Sequence, residues 1–253
     1  MGINVGRYLR TSDISSAVGV HPNTVRLYEA WGFLPPIPRS GSGYRQFTEA
    51  HLEQMRLARL ALAEPYAGRR IRRGARDLVR AAAEGDLDQA YELAEKLQAV
   101  VRAELEQTRA AAAYLEGWAK GTAAARKNGP YYQHGRAAKE LDVTPDTLRH
   151  WERNGLIAIP RDSGNNYRIY GPQEMDRLRV IRLLSRAGYS TMAILRMTRQ
   201  LDRGRREDLG QVLDTPDAEE DLNYASDRWL STLTVYEKRT AEIVRQIEKM
   251  RGI

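Results

Sequence analysis

The chain has 253 residues, a formal net charge of +7 at pH 7 and a sequence pI near 9.6; this length suits about two domains, and this charge suits a polyanionic partner. The sequence contains no cysteine, which excludes disulfides, thiolate nucleophiles and thiolate metal sites. No apolar run approaches the roughly 20 residues of a membrane span, and the N-terminus lacks the apolar core of a signal peptide. We therefore expect a cytoplasmic protein with no membrane partner.

The first elements follow a helix-turn-helix pattern. Small and apolar residues predict a short helix over 11–18, and the dipeptide Gly19-Val20 predicts a tight turn. A second helix should begin at His21 and end before Gly32, its C′ residue. In the next stretch, "IPRSGSGYRQF", glycines between strand-forming residues predict a two-stranded wing.

Three further helices follow the first wing. Two are predicted over 48–63 and 69–83, and a much longer one over 87–126, with Asp86 at its N-terminus. Residues at steps of three and four along the long helix indicate a coiled-coil seam. The seam residues are Ala90, Ala94, Leu97, Val101, Leu105, Thr108, Ala112, Leu115 and Ala119.

The same plan returns 123 residues later. Aligned without a gap from Tyr8 to Leu78, about 19 of roughly 71 positions are identical to the residue 123 places further on, which indicates a duplicated domain. The second copy predicts a helix over 134–141 and a turn at Asp142-Val143. A second helix follows, in which Thr144 is the N-cap, Pro145 is the first helical residue and Gly155 is the C′ residue.

The second copy continues with the wing "IPRDSGNNYRIY" and helices over 172–186 and 192–202. A second long helix is predicted over 217–250, with Thr215-Pro216 at its N-terminus. It has a seam of its own. The seam residues are Leu222, Ala225, Trp229, Leu233, Tyr236, Thr240, Ile243, Ile247 and Met250.

The predicted fold class is mainly α. Two winged helix-turn-helix domains are expected at 1–85 and 128–214, and each is followed by a long coiled-coil helix, at 86–127 and 215–253.

Both copies resemble the DNA-binding domain of the MerR family of transcription regulators. The resemblance rests on "HPNTVRLYEAWGFL" and "TPDTLRHWERNGLI", in which Thr, an apolar residue, Arg, any residue, an aromatic residue and Glu follow one another. Each is followed by a wing that ends in Tyr-Arg, any residue and an aromatic residue. The motifs cover roughly 140 residues, and their order is specific whereas a lone helix-turn-helix phrase is not.

The resemblance implies a DNA surface on the second helix and the wing of each copy. Tyr28 and Trp151 could instead be core residues, and Glu29 and Glu152 are expected to brace wing arginines rather than to do chemistry. The expected DNA-binding residues are Asn23, Thr24, Arg26, Leu27, Tyr28, Arg39, Tyr44, Arg45, Asp146, Thr147, Arg149, His150, Trp151, Arg161, Tyr167 and Arg168.

Members of this family are dimers joined by an antiparallel pair of long helices, one from each subunit. Here one chain contains both helices, so pairing in cis would give a pseudo-dimer, and pairing in trans would give a four-domain assembly. We expect the cis form because tethering raises the effective concentration of the partner helix. The resemblance then implies double-stranded promoter DNA as a partner, a pseudopalindromic site that the protein distorts, and an indirect effect on RNA polymerase.

Aromatic residues on the long helices suggest a pocket for an apolar or aromatic small-molecule effector, with ordinary seam packing as the alternative. The four histidines show no ligand spacing, so neither a metal nor another cofactor is expected. The candidate pocket residues are Tyr114, Trp118, Tyr224, Trp229 and Tyr236.

Two other functions stay open at this point. One is an architectural or excisionase-like DNA-binding factor, and the other is a protein that binds or sequesters a small molecule such as a drug. An enzyme is least favoured and no catalytic residues are expected, because neither copy contains a nucleophile–base set, a phosphate-binding loop or a metal cluster.

Overall fold

The computed structural model describes residues 8–64, 68–120, 129–216 and 228–252. These residues form eleven helices and one two-stranded antiparallel sheet, which confirms the mainly α fold class. Within these ranges, no helix combines the length and the apolar character needed to cross a bilayer. The elements in chain order are α1 (Thr11–Ala17), α2 (Pro22–Ala30), α3 (Glu49–Leu62), α4 (Arg69–Ala83), α5 (Leu87–Ala119), β1 (Tyr132–Gln133), α6 (His134–Glu140), α7 (Pro145–Arg153), β2 (Ile169–Tyr170), α8 (Pro172–Arg186), α9 (Thr191–Asp202), α10 (Leu209–Asp214) and α11 (Trp229–Arg251).

The described residues form two compact units, each built around one helix-turn-helix copy. The first unit falls within Met1–Ala103 and Leu233–Ile253, and the second within Glu104–Thr232. Both long helices, α5 and α11, therefore contribute residues to both units. The division of the sequence into four consecutive segments stays a prediction.

In both copies, a left-handed residue follows the first helix of the helix-turn-helix, at the turn that the sequence predicts. Gly19 has a φ of 64° between α1 and α2, and Asp142 has a φ of 48° between α6 and α7. Aspartate is one of the few residues other than glycine that visit this region readily. Hydrogen bonds from Arg186, at 2.6 Å, and from Arg182, at 2.9 Å, hold the pKa of the Asp142 carboxyl below its ordinary value.

The second helices of the two copies, α2 and α7, begin and end where the sequence predicts. Thr144 caps α7, since its hydroxyl accepts a hydrogen bond at 3.1 Å from the backbone N–H three residues later. His21 caps α2 in a similar way, because its Nδ1 accepts at 3.2 Å from the N–H two residues later. Gly32 and Gly155 follow the C-caps with φ angles of 70° and 74°, as expected of C′ glycines.

The wing is not the two-stranded hairpin that the sequence predicts. Each wing loop is closed by one antiparallel bridge, Arg39 to Arg45 in the first copy and Arg161 to Arg168 in the second. A proline precedes Arg39 and Arg161. The carbonyl of each proline accepts one backbone hydrogen bond from the opposite arm, at 2.8 Å and 2.9 Å. Because proline has no N–H to donate, the return bond of that pair is missing and no regular ladder forms.

Regular strand pairing instead joins the end of each wing to the start of its own copy. In the second copy, Tyr132 pairs with Tyr170 in the antiparallel β1–β2 sheet. The first copy has one bridge at the equivalent place, between Leu9 and Phe47. This pairing brings together segments that are distant in sequence, and no local pattern predicted it.

The long helices bury the predicted seams with one shift. On α5, every predicted seam residue is buried except Ala112, whose neighbour Ala111 is buried in its place. Asp86 accepts a hydrogen bond from the backbone N–H of Gln89 at 2.9 Å, which confirms it as the cap of α5. On α11, the predicted seam residues from Trp229 to Ile247 are buried, whereas the last one, Met250, is only half-buried.

A short helix, α10, lies where the sequence predicts none. It packs on α9 and buries two leucines. Thr215, predicted to cap the second long helix, is instead the C-cap residue of α10. The predicted start of that long helix, with its first two seam residues, falls in 217–227, outside the described residues.

In the first unit, the C-terminal end of α11 lies beside the start of α5. Arg251 forms an ion pair with Asp88, and the Tyr91 hydroxyl donates to Glu248 Oε1 at 3.5 Å. Residue numbers rise along one helix as they fall along the other, so the two segments run antiparallel within this unit.

Glu53 on α3 attaches α11 to the first helix-turn-helix copy. Its side chain is only 2% exposed, and it accepts hydrogen bonds from Lys249 Nζ at 2.8 Å and Gln246 Nε2 at 2.7 Å. Burial alone would raise the pKa of Glu53. The bonds from Lys249 and Gln246, with the charges of Arg56 and Lys249, lower that pKa below its ordinary value of 4.5. Glu53 is therefore ionised at neutral pH and holds α11 against α3.

Replacing Glu53 with alanine should lower the free energy of unfolding by about 2 kcal/mol, because charge-assisted hydrogen bonds from α11 are lost. Urea denaturation followed by circular dichroism at pH 7 measures this loss. The folded-state pKa lies below 4.5, so the contribution of Glu53 is complete above that pH and is lost as the pH falls further. The difference in the free energy of unfolding between the variant and the parent protein should therefore shrink as the pH falls below 4.5.

The matched control is Glu92→Ala, which removes a carboxylate from an exposed pair with Lys96 on α5. This change should alter the free energy of unfolding by less than about 0.5 kcal/mol. Equal losses in the two variants would contradict the role assigned to Glu53.

Candidate nucleic-acid interface

The exposed face of α2 carries the residues predicted to meet base edges. Asn23 is exposed, Leu27 is 46% exposed and Thr24 is half-buried. Arg26 Nη1 donates to Asn23 Oδ1 at 3.1 Å, so Arg26 lies along the same face. This face presents an amide, a hydroxyl, a guanidinium and an apolar side chain, which are groups that contact base edges and phosphates in major grooves.

The equivalent face of α7 has different chemistry. Asp146, Arg149 and His150 are exposed, and Thr147 is half-buried. Arg149 Nη1 lies 2.7 Å from Asp146 Oδ1, so an ion pair replaces the neutral hydrogen bond of the first copy. The additional carboxylate can accept a hydrogen bond from the amino group of cytosine, but it repels phosphate.

The aromatic residues of these two helices point into the cores of their domains. Tyr28 is 7% exposed and packs edge-on against Phe33, with ring centroids 5.7 Å apart. Trp151 is 5% exposed. This burial favours the packing role that the sequence left open for both residues, and their contact with a DNA backbone stays a prediction.

A carboxylate on each of these helices braces the wing, as the sequence predicts. Glu29 Oε2 accepts from Arg45 Nε at 2.6 Å, and Glu152 Oε2 accepts from Arg168 Nε at 2.7 Å. The four side chains are 22 to 28% exposed, so each charge-assisted bond is partly shielded from water. Arg45 and Arg168, which were predicted to bind DNA, thus attach the wing to the helix.

Each wing carries an exposed tyrosine near its tip. Tyr44 is 76% exposed and Tyr167 is 65% exposed. Arg39 and Arg161 each donate to a backbone carbonyl of their own wing loop, at 3.4 Å and 3.1 Å. The wing therefore presents a phenol and a guanidinium, both of which can donate to a phosphate oxygen.

Three arginines of the second copy converge on one cleft of about 260 Å³. Arg149 comes from α7, whereas Arg161 and Arg168 come from the wing, and Tyr167 forms part of the wall. The structure thus brings together four residues that the sequence assigned to DNA binding.

Four further residues line this cleft and were missed by the sequence analysis: Gln133, His134, Gly135 and Asn166. His134 Nδ1 lies 2.7 Å from the hydroxyl of Tyr170. Burial lowers the pKa of His134, and the charges of Arg149 and the wing arginine Arg168 lower it further, so its imidazole is neutral at pH 7. Gln133 and His134 reach the cleft through the β1–β2 pairing, which leaves no local signal in the sequence.

Four of the five aromatic residues predicted to form an effector pocket lie in the described part of the chain, and they are distributed over both units. Tyr236 lines a groove in the first unit. In the second unit, the Trp229 indole N–H donates to a backbone carbonyl at 2.8 Å, which is a structural bond. Tyr114 is 45% exposed, Trp118 is half-buried, and Tyr224 lies outside the described residues. In the part of the chain that the structure describes, no group of three or more His, Asp or Glu is placed to hold a metal ion.

Comparison with known proteins matches both copies. A family model described as "MerR HTH family regulatory protein" matches residues 9–74 and 132–201, together more than half of the chain. The mercuric resistance operon regulatory protein of Bacillus cereus is 32% identical over 72 residues, which are 28% of this chain and 54% of that protein. The HTH-type transcriptional regulator ZntR of Escherichia coli K12 is 32% identical over 63 residues, or 25% and 45% of the two chains.

A third relative is the HTH-type transcriptional regulator CueR of Salmonella typhi, which is 36% identical over 53 residues, or 21% of this chain and 38% of the relative. No solved structure gives a significant match. The matched segments span about half the length of the first two relatives or less. The α2 and α7 faces, the braces and the wings all lie within the two ranges that the family model matches. The chain therefore belongs to the MerR HTH family of regulatory proteins and contains the domain of that family twice.

Proposed function

We propose that the chain is a DNA-binding transcription regulator whose two copies bind the two arms of one pseudopalindromic promoter site. The observation that carries this proposal is the cleft of the second copy, where Arg149, Arg161 and Arg168 surround a space of about 260 Å³. Three guanidinium groups around such a space suit the oxygens of a backbone phosphate. The three relatives named above are all regulators, which supports the same function.

In this proposal, α2 and α7 are recognition helices that enter successive major grooves. Arg26, Arg149, Tyr44 and Tyr167 contact phosphates and so position the protein without reading the sequence. Six side chains on the N-terminal two-thirds of these helices then face the base edges. The base-facing residues are Asn23, Thr24, Leu27, Asp146, Thr147 and His150.

We further propose that one chain supplies both halves of the DNA-binding assembly as a pseudo-dimer. In the first unit, α11 follows the second copy in sequence, yet Lys249 binds Glu53 of the first copy. In the second unit, α5 follows the first copy in sequence, yet the Thr108 hydroxyl donates to the Ala187 carbonyl of the second copy at 3.0 Å. Each copy is thus contacted by the long helix that follows the other copy, as expected if one chain replaces two subunits.

A pseudo-dimer does not require two identical arms in its binding site, because the two halves are not related by exact symmetry. Leu27 occupies the position of His150, and Asn23 occupies the position of Asp146. An apolar side chain suits a thymine methyl group, whereas a carboxylate suits the amino group of cytosine. We therefore expect the two arms to differ in sequence.

We propose that binding also bends and untwists the DNA between the arms, as the family resemblance implies. Smooth bending of a site by tens of degrees costs on the order of 1–6 kcal/mol. The phosphate contacts of both copies would offset this cost. The change in promoter geometry is then what RNA polymerase responds to, so the polymerase is an indirect partner.

Replacing Arg149 with alanine should weaken binding to every duplex by about tenfold, because a phosphate contact is sequence-independent. The slope of log K against log salt should also become shallower by about 1. Fluorescence anisotropy with a duplex selected by the protein from random DNA, between roughly 50 and 200 mM salt, measures both effects. Arg26→Ala should act in the same way in the first copy.

The control is Arg102→Ala, which removes the same charge from an exposed position on α5. It should leave the salt slope unchanged. If Arg149→Ala also left the slope unchanged, the cleft would not be a phosphate site.

Replacing Asp146 with asparagine should raise the affinity for a duplex of random sequence by about three- to tenfold. The change removes a carboxylate that repels phosphate and pairs with Arg149. The preferred sequence should change in one arm only. The reciprocal control, Asn23→Asp, should lower affinity and change the other arm. Sequencing the DNA selected by each variant tests this, and changes in both arms with either variant would contradict it.

One chain should occupy one site. Sedimentation of the free protein should give a mass near 28.7 kDa, and titration of the selected duplex should saturate at about one chain per site. Two chains per site would favour pairing in trans, and a perfectly palindromic selected site would count against two unlike halves.

A further inference from the structure

A groove of about 360 Å³ in the first unit is lined mainly by aromatic rings and arginines. Tyr28 lies in the last turn of α2, Trp31 is the C-cap residue of that helix, Phe33 follows two residues later, and Tyr236 comes from α11. Three arginines from α4 also line the groove, and aliphatic side chains of α3 complete the lining. Every residue of this groove belongs to one compact unit.

The rings form a continuous aromatic wall. The centroids of Tyr28, Trp31 and Phe33 lie 5.7 to 6.1 Å from one another, and Phe33 is nearly edge-on to both neighbours. Tyr28, Phe33 and Tyr236 are at most 7% exposed, whereas Trp31 is 53% exposed. A half-exposed indole beside buried rings offers a flat apolar surface to a further aromatic ring.

The arginines give the groove a positive charge. Arg72, Arg76 and Arg80 are exposed and spaced four residues apart, so they share one face of α4. The Arg80 guanidinium lies 5.6 Å from the centroid of the Phe33 ring. Among the described residues, no carboxylate lines the groove. Like charges at the spacing of Arg76 and Arg80 repel one another, and a bound anion would relieve that repulsion.

Three of these positions carry neither an aromatic ring nor an arginine in the second copy. The positions 123 residues later hold Asn154 in place of Trp31, Leu156 in place of Phe33 and Leu195 in place of Arg72. Because the second copy forms the same helices without them, the fold requires neither the indole nor this guanidinium. The combination of an exposed ring and three cations is therefore a property of the first copy.

We propose that this groove binds a small planar aromatic molecule that carries an acidic group. The ligand ring would lie against Trp31 and the buried rings, and its acidic group would meet the arginines of α4. The volume falls in the range of sites for small ligands, which are typically 300–1,000 Å³. Arginine suits this task because it pairs with planar anions and also stacks on aromatic faces. The inference does not depend on DNA binding by either copy.

Two fluorescent probes that share a ring system test the proposal on the full chain. 1-Anilinonaphthalene-8-sulfonate carries a negative charge, and N-phenyl-1-naphthylamine has the same rings without it. The sulfonate should bind at about one molecule per chain and about tenfold more tightly than the neutral probe, because the arginines contribute only to the charged one.

Variants separate the ring contribution from the charge contribution. Trp31→Ala should weaken both probes by about tenfold, whereas Arg76→Gln should weaken only the sulfonate by about tenfold. Arg199→Gln, at the position of Arg76 in the second copy, should change neither probe. Trp31 and Arg76 are exposed, so all three variants should keep the circular dichroism spectrum and urea midpoint of the parent protein.

Several results would overturn the proposal. The sulfonate could fail to bind, the neutral probe could bind equally well, or Trp31→Ala and Arg76→Gln could leave the sulfonate unaffected. A loss of binding in Tyr114→Ala alone would place the probe on α5 and outside the groove. If Arg76→Gln weakened duplex binding and left the sulfonate unchanged, the arginines would be phosphate contacts, and the ligand site would be wrong.

Discussion

The ion pair between each recognition helix and its wing fixes the surface on which the proposed DNA-binding residues stand. Glu29 pairs with Arg45, and Glu152 pairs with Arg168, across the same separation of 16 residues. The backbone hydrogen bonds within each wing loop join its own two arms and not the recognition helix. The carboxylate on the helix therefore limits the positions that the wing can sample and lowers the entropy lost when DNA binds.

Several of the differences between the two copies lie at exposed positions. Both copies keep the Glu–Arg brace and the left-handed glycine after the recognition helix, because these determine backbone geometry. Asn23 becomes Asp146 and Trp31 becomes Asn154, and all four are exposed. In a symmetric dimer, a surface change appears on both halves, whereas a chain that contains both halves can change one surface alone.

The sequence predicted those features that depend on a few neighbouring residues. The Thr144 cap and the left-handed Gly32 follow from local hydrogen bonding and local sterics. The predicted wing strands were wrong because a proline in the first arm of each wing cannot donate to the ladder. Helix α10 was missed because its six residues are too short to show a helical period. Gln133 and His134 were missed because a non-local strand pairing brings them to the cleft.

The position of Tyr236 gives the proposed ligand groove a physical connection to the recognition helix. Arg239, on the same part of α11, donates to the carbonyls of Ala63 and Glu64 at 2.7 and 2.8 Å, so this segment is fixed to the end of α3. A ligand between Tyr236 and Trp31 would contact both α11 and the last turn of α2. Such a ligand changes DNA affinity only to the extent that it binds the DNA-bound and free conformations differently. Since the second copy lacks several of these residues, any such change in affinity would act through the arm of the DNA site that the first copy binds.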